Sequence, residues 1–417
     1  AQLAMSGCDA SLHPQQAAQL PGVRWVLPNS QKDQLITRLL HDLQPDCTTQ
    51  HKTAAHLPAA TNPQPRSGRT RAFVKVQDGC RNRCSFCIVT VARGSERSHS
   101  VSDVLQTVRE LQQEGVQEVV LTGVHLGGYG SDINSSLMQL LHTVLSCTSI
   151  ERVRLGSVEP WDLPHDFATL WRNPRLMPHV HLPLQSGCDG VLKRMSRRCM
   201  TAAYRQLVEQ LRQHVPRIQI TTDMIAGFPG ETDQDWQCTL DFVQQLQFGH
   251  MHVFPYSARQ GTRAYSMPDQ IPHAVKRQRC AQLRQLSKQM QQQFAAQWHG
   301  DVVDVLYEQP ASHLQTADLP TAETNHGRAA TCNSEKLYVG YTPNYLRVLT
   351  PFAADHNPQG DIVPTRLTSF HSEHQAYFGT QQCIRTQQQC IRTQQCIRTQ
   401  QPFISTQQPC IGPSDIQ

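Results

Sequence analysis

The chain has 417 residues, 38% of them hydrophobic, and a formal net charge of +5. That length exceeds one ordinary core, so two or three domains are expected; no run of about 18 apolar residues is present to span a membrane, and the mild positive balance permits a polyanionic partner without requiring one. Fifteen cysteines in a large chain without an export signal point to reduced, cytoplasmic thiols, some of them metal ligands, rather than to a disulfide framework.

The opening AQLAMSGC lacks a basic region, an apolar stretch and an initiator Met, so the chain is expected to begin inside a domain. Residues 1–43 read as part of an α/β unit. Val23 to Leu27 is a short apolar strand, Asn29 or Ser30 can cap a helix, and Leu35, Ile36, Leu39, Leu40 and Leu43 recur at helical spacing. Residues 44–70, rich in Pro, Thr, Gln and Ala, read as a linker.

From residue 71 the rhythm changes. Six β-like runs, at 72–76, 118–122, 152–156, 179–184, 218–225 and 250–255, alternate with helical patterns, the clearest at 101–113, 134–146, 201–213, 232–246 and 273–298. Such alternation predicts parallel strands with crossovers, too few for a closed eightfold barrel but suited to an open six-stranded one. The site of such a sheet lies at the carboxyl ends of its strands, so the loops at 77–98, 123–133, 157–163, 185–200, 226–231 and 256–263 are expected to line one mouth. Residues 296–369 carry alternating runs at 302–308, 336–342 and 345–351, interrupted by a polar insertion at 310–334, and suggest a small antiparallel barrel. The remaining 370–417 read as a low-complexity tail whose TQQCIRT-like units carry Cys383, Cys390, Cys396 and Cys410 at spacings unlike those of a zinc site.

The strongest chemical signal follows the first strand of the core: VKVQDGCRNRCSFCIVTVARGSERS, with Cys80, Cys84 and Cys87 in C-x3-C-x2-C spacing. Thiolates are the usual ligands of iron–sulfur clusters, and three from one loop hold three irons of a 4Fe-4S cubane while leaving the fourth iron open to a chelating substrate. The amino and carboxylate groups of S-adenosylmethionine can fill that position, so that electron transfer breaks the S–C5′ bond and releases a radical. The competing readings are a structural zinc and three unrelated thiols; a zinc site would show paired ligands and a fourth Cys or His, absent here at such spacing. Phe86, between the second and third ligands, can cover the cluster and the adenine.

This loop resembles that of the radical S-adenosylmethionine superfamily. The context QDGC and ARGSERS is similar to the tRNA methylthiotransferases, in particular to the branch acting on C2 of N6-threonylcarbamoyladenosine beside the anticodon. LTGVHLGGYG (121–130), RLGSVEP (154–160), HLPLQSGCDGVLKRMSRR (181–198), TTDMIAGFPGE (221–231) and VFPYSARQGT (253–262) agree, and the resemblance extends to about residue 369. It implies an α/β fold: an open six-stranded (β/α)6 radical-SAM barrel at 71–295, a partial N-terminal methylthiotransferase α/β domain at 1–43 and a TRAM-like RNA-binding β-barrel at 296–369. It further implies two cofactors, a 4Fe-4S cluster and S-adenosylmethionine, and as partners a tRNA anticodon loop, a reducing electron donor and a sulfur donor, with no membrane.

Within these segments Gly123, Gly127 and Gly128 would let backbone approach the amino group of S-adenosylmethionine. Ser157 and Glu159 could reach its ribose or methionine moiety, Gln185 and Ser186 end the fourth strand, Arg198 could pair with the methionine carboxylate, and Ile225, Gly227 and Pro229 could cradle the adenine. The bland alternative for each is loop structure without ligand contact. Lys75, Arg81, Arg83, Arg93 and Arg97 are either a solvated basic face or contacts to anticodon-loop phosphates, and Tyr338, Tyr341 and Tyr345 either pack or stack on bases.

The chain also departs from the pattern. Methylthiotransferases carry a second, auxiliary cluster on three N-terminal cysteines, of which only Cys8, in MSGCDAS, has a counterpart here; Cys47 fits neither other position. One thiolate cannot hold a cubane, so the auxiliary cluster is expected only in a complete protein, and the sequence reads either as a piece of one or as an impaired form. Thr90 and Val91 stand where a Pro-Tyr pair is expected. The alternatives are a relative modifying a ribosomal protein and a non-catalytic tRNA-binding remnant.

Overall fold

The computed structural model describes residues 2–43, 69–311 and 335–381. The expected linker from 44 to 68, the insertion from 312 to 334 and the cysteine-bearing repeats beyond 381 lie outside the described residues.

Strand β1 (Leu3–Gly7) pairs in parallel with β2 (Val23–Pro28) around two short helices, α1 (Cys8–Leu12) and α2 (Pro14–Ala18), and α3 (Leu35–Leu43) follows. Only β2 and α3 are foreshadowed by hydrophobic spacing; β1, LAMSG, is five residues long and buries none of them fully, so no alternation marks it.

The core unfolds in the expected alternation. It runs β3 (Arg71–Asp78), α4 (Val89–Arg93), β4 (Arg97–Ser98), α5 (Val101–Gln113), β5 (Glu118–Gly123), α6 (Leu137–Cys147) and β6 (Arg152–Leu155). There follow β7 (His179–His181), α7 (Asp189–Arg194), α8 (Thr201–His214), β8 (Gln219–Ala226), α9 (Asp233–Leu246), β9 (His250–Pro255) and α10 (His273–Ala296). Strands β3, β5 and β6 are parallel neighbours, as are β7, β8 and β9; parallel bridges Val153 to Leu176 and Ser157 to His181 join the two groups into one curled sheet. Alternation along each strand sorts its side chains. Ala72, Val74, Val76, Val119, Leu121, Val153 and Leu155 pack outward with residues of α5 and α6, and Val180, Ile220, Met224, Met251 and Val253 do so with those of α8, α9 and α10. Burying each such aliphatic side chain contributes about 1.5–3 kcal/mol, which holds the helical layer on the sheet. Helix starts are locally encoded: Ser100 accepts from the Asp103 amide, and Thr232 and Asp235 form a reciprocal capping box.

The opposite face of the strands is polar. Arg71, Glu118 and Arg154 form one ion-pair cluster inside the sheet, with Arg71 Nε 2.7 Å and Arg154 Nε 2.8 Å from Glu118 Oε1. Together the two guanidiniums hold the buried Glu118 carboxyl below its usual range despite desolvation.

A closed five-stranded barrel follows: β10 (Val302–Pro310), β11 (Glu335–Tyr341), β12 (Arg347–Ala353), β13 (Ile362–His371) and β14 (Ala376–Gln381), in the order β10-β11-β12-β14-β13. The expected boundary at 369 is therefore corrected. Strand β14 lies wholly inside the segment read as tail, and it closes the barrel by pairing with β12 through Val348–Tyr377 and Leu349–Phe378. The run at 345–351 likewise starts too early, because Tyr345 sits in a turn with φ 71°. Barrel and core meet through this turn. Tyr341 and Tyr345 stack at 5.0 Å, Arg71 lies over both rings, Arg154 lies 4.6 Å over Tyr345, and Arg152 donates to the carbonyls of Tyr341 and Asp304. Tyr338 is buried in the barrel core. Tyr338 thus packs, whereas Tyr341 and Tyr345 are half-buried at the seam and also line a cavity of about 350 Å³.

Candidate active site

The three cysteines lie on the loop between β3 and α4, at the carboxyl end of the first core strand. Gly79 turns the chain off β3 with φ +76°, and a Cβ there would sit 1.9 Å from the Ser95 carbonyl oxygen, so glycine is required. Loop ends and middle are then tied down. The Cys80 amide donates to Gly94 O, the Cys87 amide to Cys84 O, the Ser85 amide to Met195 O and its hydroxyl to Arg194 O, while Ser85 O accepts from Ala264. Thr90 Oγ1 donates to Asn82 O at 2.9 Å, so the turn expected of a Pro-Tyr pair is held by a hydroxyl.

Desolvation dominates the thiols. It raises all three, Cys80 to about 11, and the coulombic field of the neighbouring sulfurs adds to the rise at Cys80. The nearest compensation is Arg197, whose Nη1 lies 3.9 Å from Cys84 Sγ and whose Nη2 donates to Glu159 Oε2 at 2.9 Å and to Pro183 O. Buried thiols that the protein alone does not ionise fit ligands whose charge a bound metal centre neutralises. A cavity of about 430 Å³ opens beside Cys84 and Cys87, lined also by Arg83, Thr90 and Arg263.

The profile of the Radical SAM superfamily matches residues 74–243. The chain is 31% identical over 88% of its length to a protein of Bacillus subtilis named threonylcarbamoyladenosine tRNA methylthiotransferase, of which it spans 78%. It is 37% identical over 69% of its length to the Thermotoga maritima protein of the same name and 36% identical over 59% to a Thermoanaerobacter tRNA-2-methylthio-N(6)-dimethylallyladenosine synthase. The chain spans 66% and 53% of those two relatives. It belongs to the radical S-adenosylmethionine methylthiotransferases. The cofactors of this family of enzymes are a 4Fe-4S cluster and S-adenosylmethionine, and the Cys80, Cys84 and Cys87 loop has the donor chemistry for the first.

Against this methylthiotransferase frame the other expected site residues separate into groups. Phe86 and Ile225 come together, both packed on the apolar cluster of Val191, Met195, Phe228, Tyr256 and Ala264. Glu159 is at the cluster loop through Arg197. Arg198 is exposed, whereas Arg197 is buried against Cys84; adjacent residues in the turn after α7 point to opposite sides, and spacing alone does not choose between them. Gln185, with φ 77°, bridges to Met224 through backbone, and Ser157 to His181, so both stitch strand ends together. Gly227, with φ +74°, donates its amide to Glu231 Oε2.

The glycines after β5 are explained from within. A Cβ on Gly123 would meet Gln77 Oε1 at 2.9 Å, one on Gly127 Asp162 Cβ at 2.7 Å, and one on Gly128 His125 Nδ1 at 2.6 Å. Gly128 approaches His125 itself and Gly127 its partner Asp162; no motif in the sequence singled His125 out. Its Nδ1 is bonded to Glu96 and its Nε2 lies 2.6 Å from Asp162 Oδ2 and 2.9 Å from Asn82 Nδ2. Burial lowers its pKa, but the two carboxylates outweigh burial and raise it. Because Asn82 lies between Cys80 and Cys84, the clamp sits directly beside the cluster loop.

The basic face shares two carboxylates, Asp78 and Glu96, and stays positive. Arg93 pairs with Asp78 at 3.1 Å, Lys75 with the same carboxylate at 3.5 Å and Arg81 with Glu96 at 3.6 Å. Arg97 donates to the Arg93 carbonyl, while Arg83 lines the cavity at Cys84. Cys8 opens α1, which packs on α4, and its thiol neighbours Arg93.

Proposed function

We propose that the protein adds a methylthio group to C2 of N6-threonylcarbamoyladenosine next to the anticodon of tRNA, in the cytoplasm. The observation that carries this reading is the three-thiolate loop at the carboxyl end of the first core strand, in a chain 31% identical over 88% of its length to a relative named for that substrate. The domain reading supports it: a partial methylthiotransferase domain at 1–43, a radical core at 71–295 and a TRAM-like barrel for tRNA, here extended to Gln381.

When bound, the cluster supplies the electron that cleaves S-adenosylmethionine, and the resulting radical chemistry reaches a nonpolar C–H bond that no acid–base residue can activate. The chain's own residues hold and shield. Cys80, Cys84 and Cys87 would hold the cluster. Arg197 and Glu159 set the field at Cys84, and Phe86 with Ile225 would wall the adenine side. Gly123, Ser157, Gln185, Gly227 and Arg198 shape or border the mouth. Cys8, beside Arg93, supplies one auxiliary-cluster ligand, and the methylthio half of the reaction depends on two further thiolates.

The test is nucleoside mass spectrometry of tRNA from cells lacking their own enzyme and expressing this chain. The reading expects S-adenosylmethionine cleavage that is lost with Cys84→Ala, and a methylthio mass on threonylcarbamoyladenosine where two further thiolates complete the auxiliary cluster. A modified ribosomal protein with unmodified tRNA, or unchanged S-adenosylmethionine cleavage by Cys84→Ala, overturns it. Binding of tRNA without cleavage by the iron-loaded protein would leave only a binding remnant. Iron per chain reports whether one or two clusters assemble.

A further inference from the structure

The polar inner face of the second half-sheet carries a side-chain cluster that the radical chemistry does not use. Alternation places His181 on β7, Thr221 and Asp223 on β8, and His250 and His252 on β9 on the face opposite the aliphatic residues that pack on the helices. The parallel register sets Asp223 directly beside His252, and His181 one step back beside Thr221.

We propose that His181, Asp223 and His252 form a mononuclear site for a divalent transition-metal cation, separate from the cysteine loop. Their ligand atoms all lie within 4.8 Å of one another, and among the described residues they are the group of His, Cys, Asp and Glu that meets this condition. His181 Nε2 stands 3.3 Å from Asp223 Oδ2, close to the spacing of about 3 Å between adjacent donors on a cation with bonds of about 2.1 Å. His181 Nδ1 lies 2.9 Å from Thr221 Oγ1, which can accept its proton and leave the Nε2 lone pair for a metal, the arrangement usual behind a ligating imidazole.

Two imidazoles and one carboxylate on three adjacent strands occupy part of a coordination sphere and leave positions open. Two of the three ligands, His181 and His252, line a cavity of about 350 Å³ together with His179, Thr221, His250 and Tyr345. Imidazole with carboxylate suits Mn, Fe, Co or Zn in the divalent state. The bland alternative is a His181–Asp223 hydrogen bond beside an unengaged His252; it predicts no saturable cation binding.

The experiment titrates the full chain, untagged and with its cluster assembled and oxidised, with Mn²⁺ alone, reading free Mn²⁺ by its electron paramagnetic resonance signal. Thiolates are poor ligands for Mn²⁺, so the other cysteines do not mask the result. One saturable site per chain with ¹⁴N coupling from imidazole is expected, weakened at least about tenfold in Asp223→Asn and in His252→Gln. His252 is exposed, so its variant keeps the fold, and an unchanged melting temperature checks that. No saturable binding, binding without nitrogen coupling, or equal affinity in a folded His252→Gln variant overturns the site. None of these outcomes bears on tRNA methylthiolation.

Discussion

Arg197 donates to Glu159 at 2.9 Å while its other terminal nitrogen lies 3.9 Å from the sulfur of Cys84. One guanidinium thus links a cluster ligand to a carboxylate on the third core strand's loop, and it stacks 4.3 Å over Trp161 as well. Arg197→Ala leaves Glu159 without its cation and is expected to cost about 3 kcal/mol of stability, with reduced iron per chain after reconstitution. Arg198→Ala, at an exposed position, is expected to stay within about 0.5 kcal/mol. Denaturant midpoints and iron assays on the two variants compare them directly; equal effects would undo the assignment.

His125 makes stability depend on pH. Its folded pKa is raised above the reference value of 6.5 by Asp162 and Glu96 against desolvation. The folded state therefore binds its proton more tightly than the unfolded one. The stabilisation is fully present below pH 6.5 and is lost as pH rises through the folded pKa. In His125→Gln the decline in melting temperature above that pH is expected to flatten, on a baseline lowered by about 3 kcal/mol because two carboxylates lose their shared cation. Parallel slopes for the two proteins would refute the clamp.

Gly79 and Gly94 both hold positive φ, but only Gly79 faces backbone within reach of a Cβ. Gly94→Ala should cost only the backbone strain of its φ 73°, ψ −157° conformation, about 1–3 kcal/mol. Gly79→Ala should cost more and lower cluster occupancy, since the Ser95 carbonyl must move. Absorption of the reconstituted cluster, measured beside the denaturation midpoint, reads both effects.

Tyr345 joins barrel to core. Tyr345→Asn keeps a residue tolerant of its φ 71° while removing the ring stacked on Tyr341 and beneath Arg154. A loss of about 3 kcal/mol is expected, with faster proteolysis at the seam between barrel and core. Unaltered proteolysis would show that Arg152 and the strand ends suffice.

Helices α5, α8, α9 and α10 were legible because each buries one stripe, and apolar spacing reports a stripe wherever it is buried. Strand β14 was not: its pairing with β12 is earned by closure of the barrel, and AYFGTQ reads as the start of a polar tail. The same limit hid His125, whose partners Glu96 and Asp162 come from distant loops.

By itself the amino-acid order determined the alternation of strands and helices, the mouth where the loops gather, and three thiolates at one spacing, since all of these are set by neighbours within a few residues. Only the tertiary structure decided that Arg197 rather than Arg198 reaches Cys84, that Gly127 and Gly128 accommodate His125 and its carboxylates, that Tyr345 stands at the seam of barrel and core, and that His181, Asp223 and His252 meet. Those outcomes depend on register between strands and on which side of a turn a side chain leaves, and nothing local to a residue encodes either.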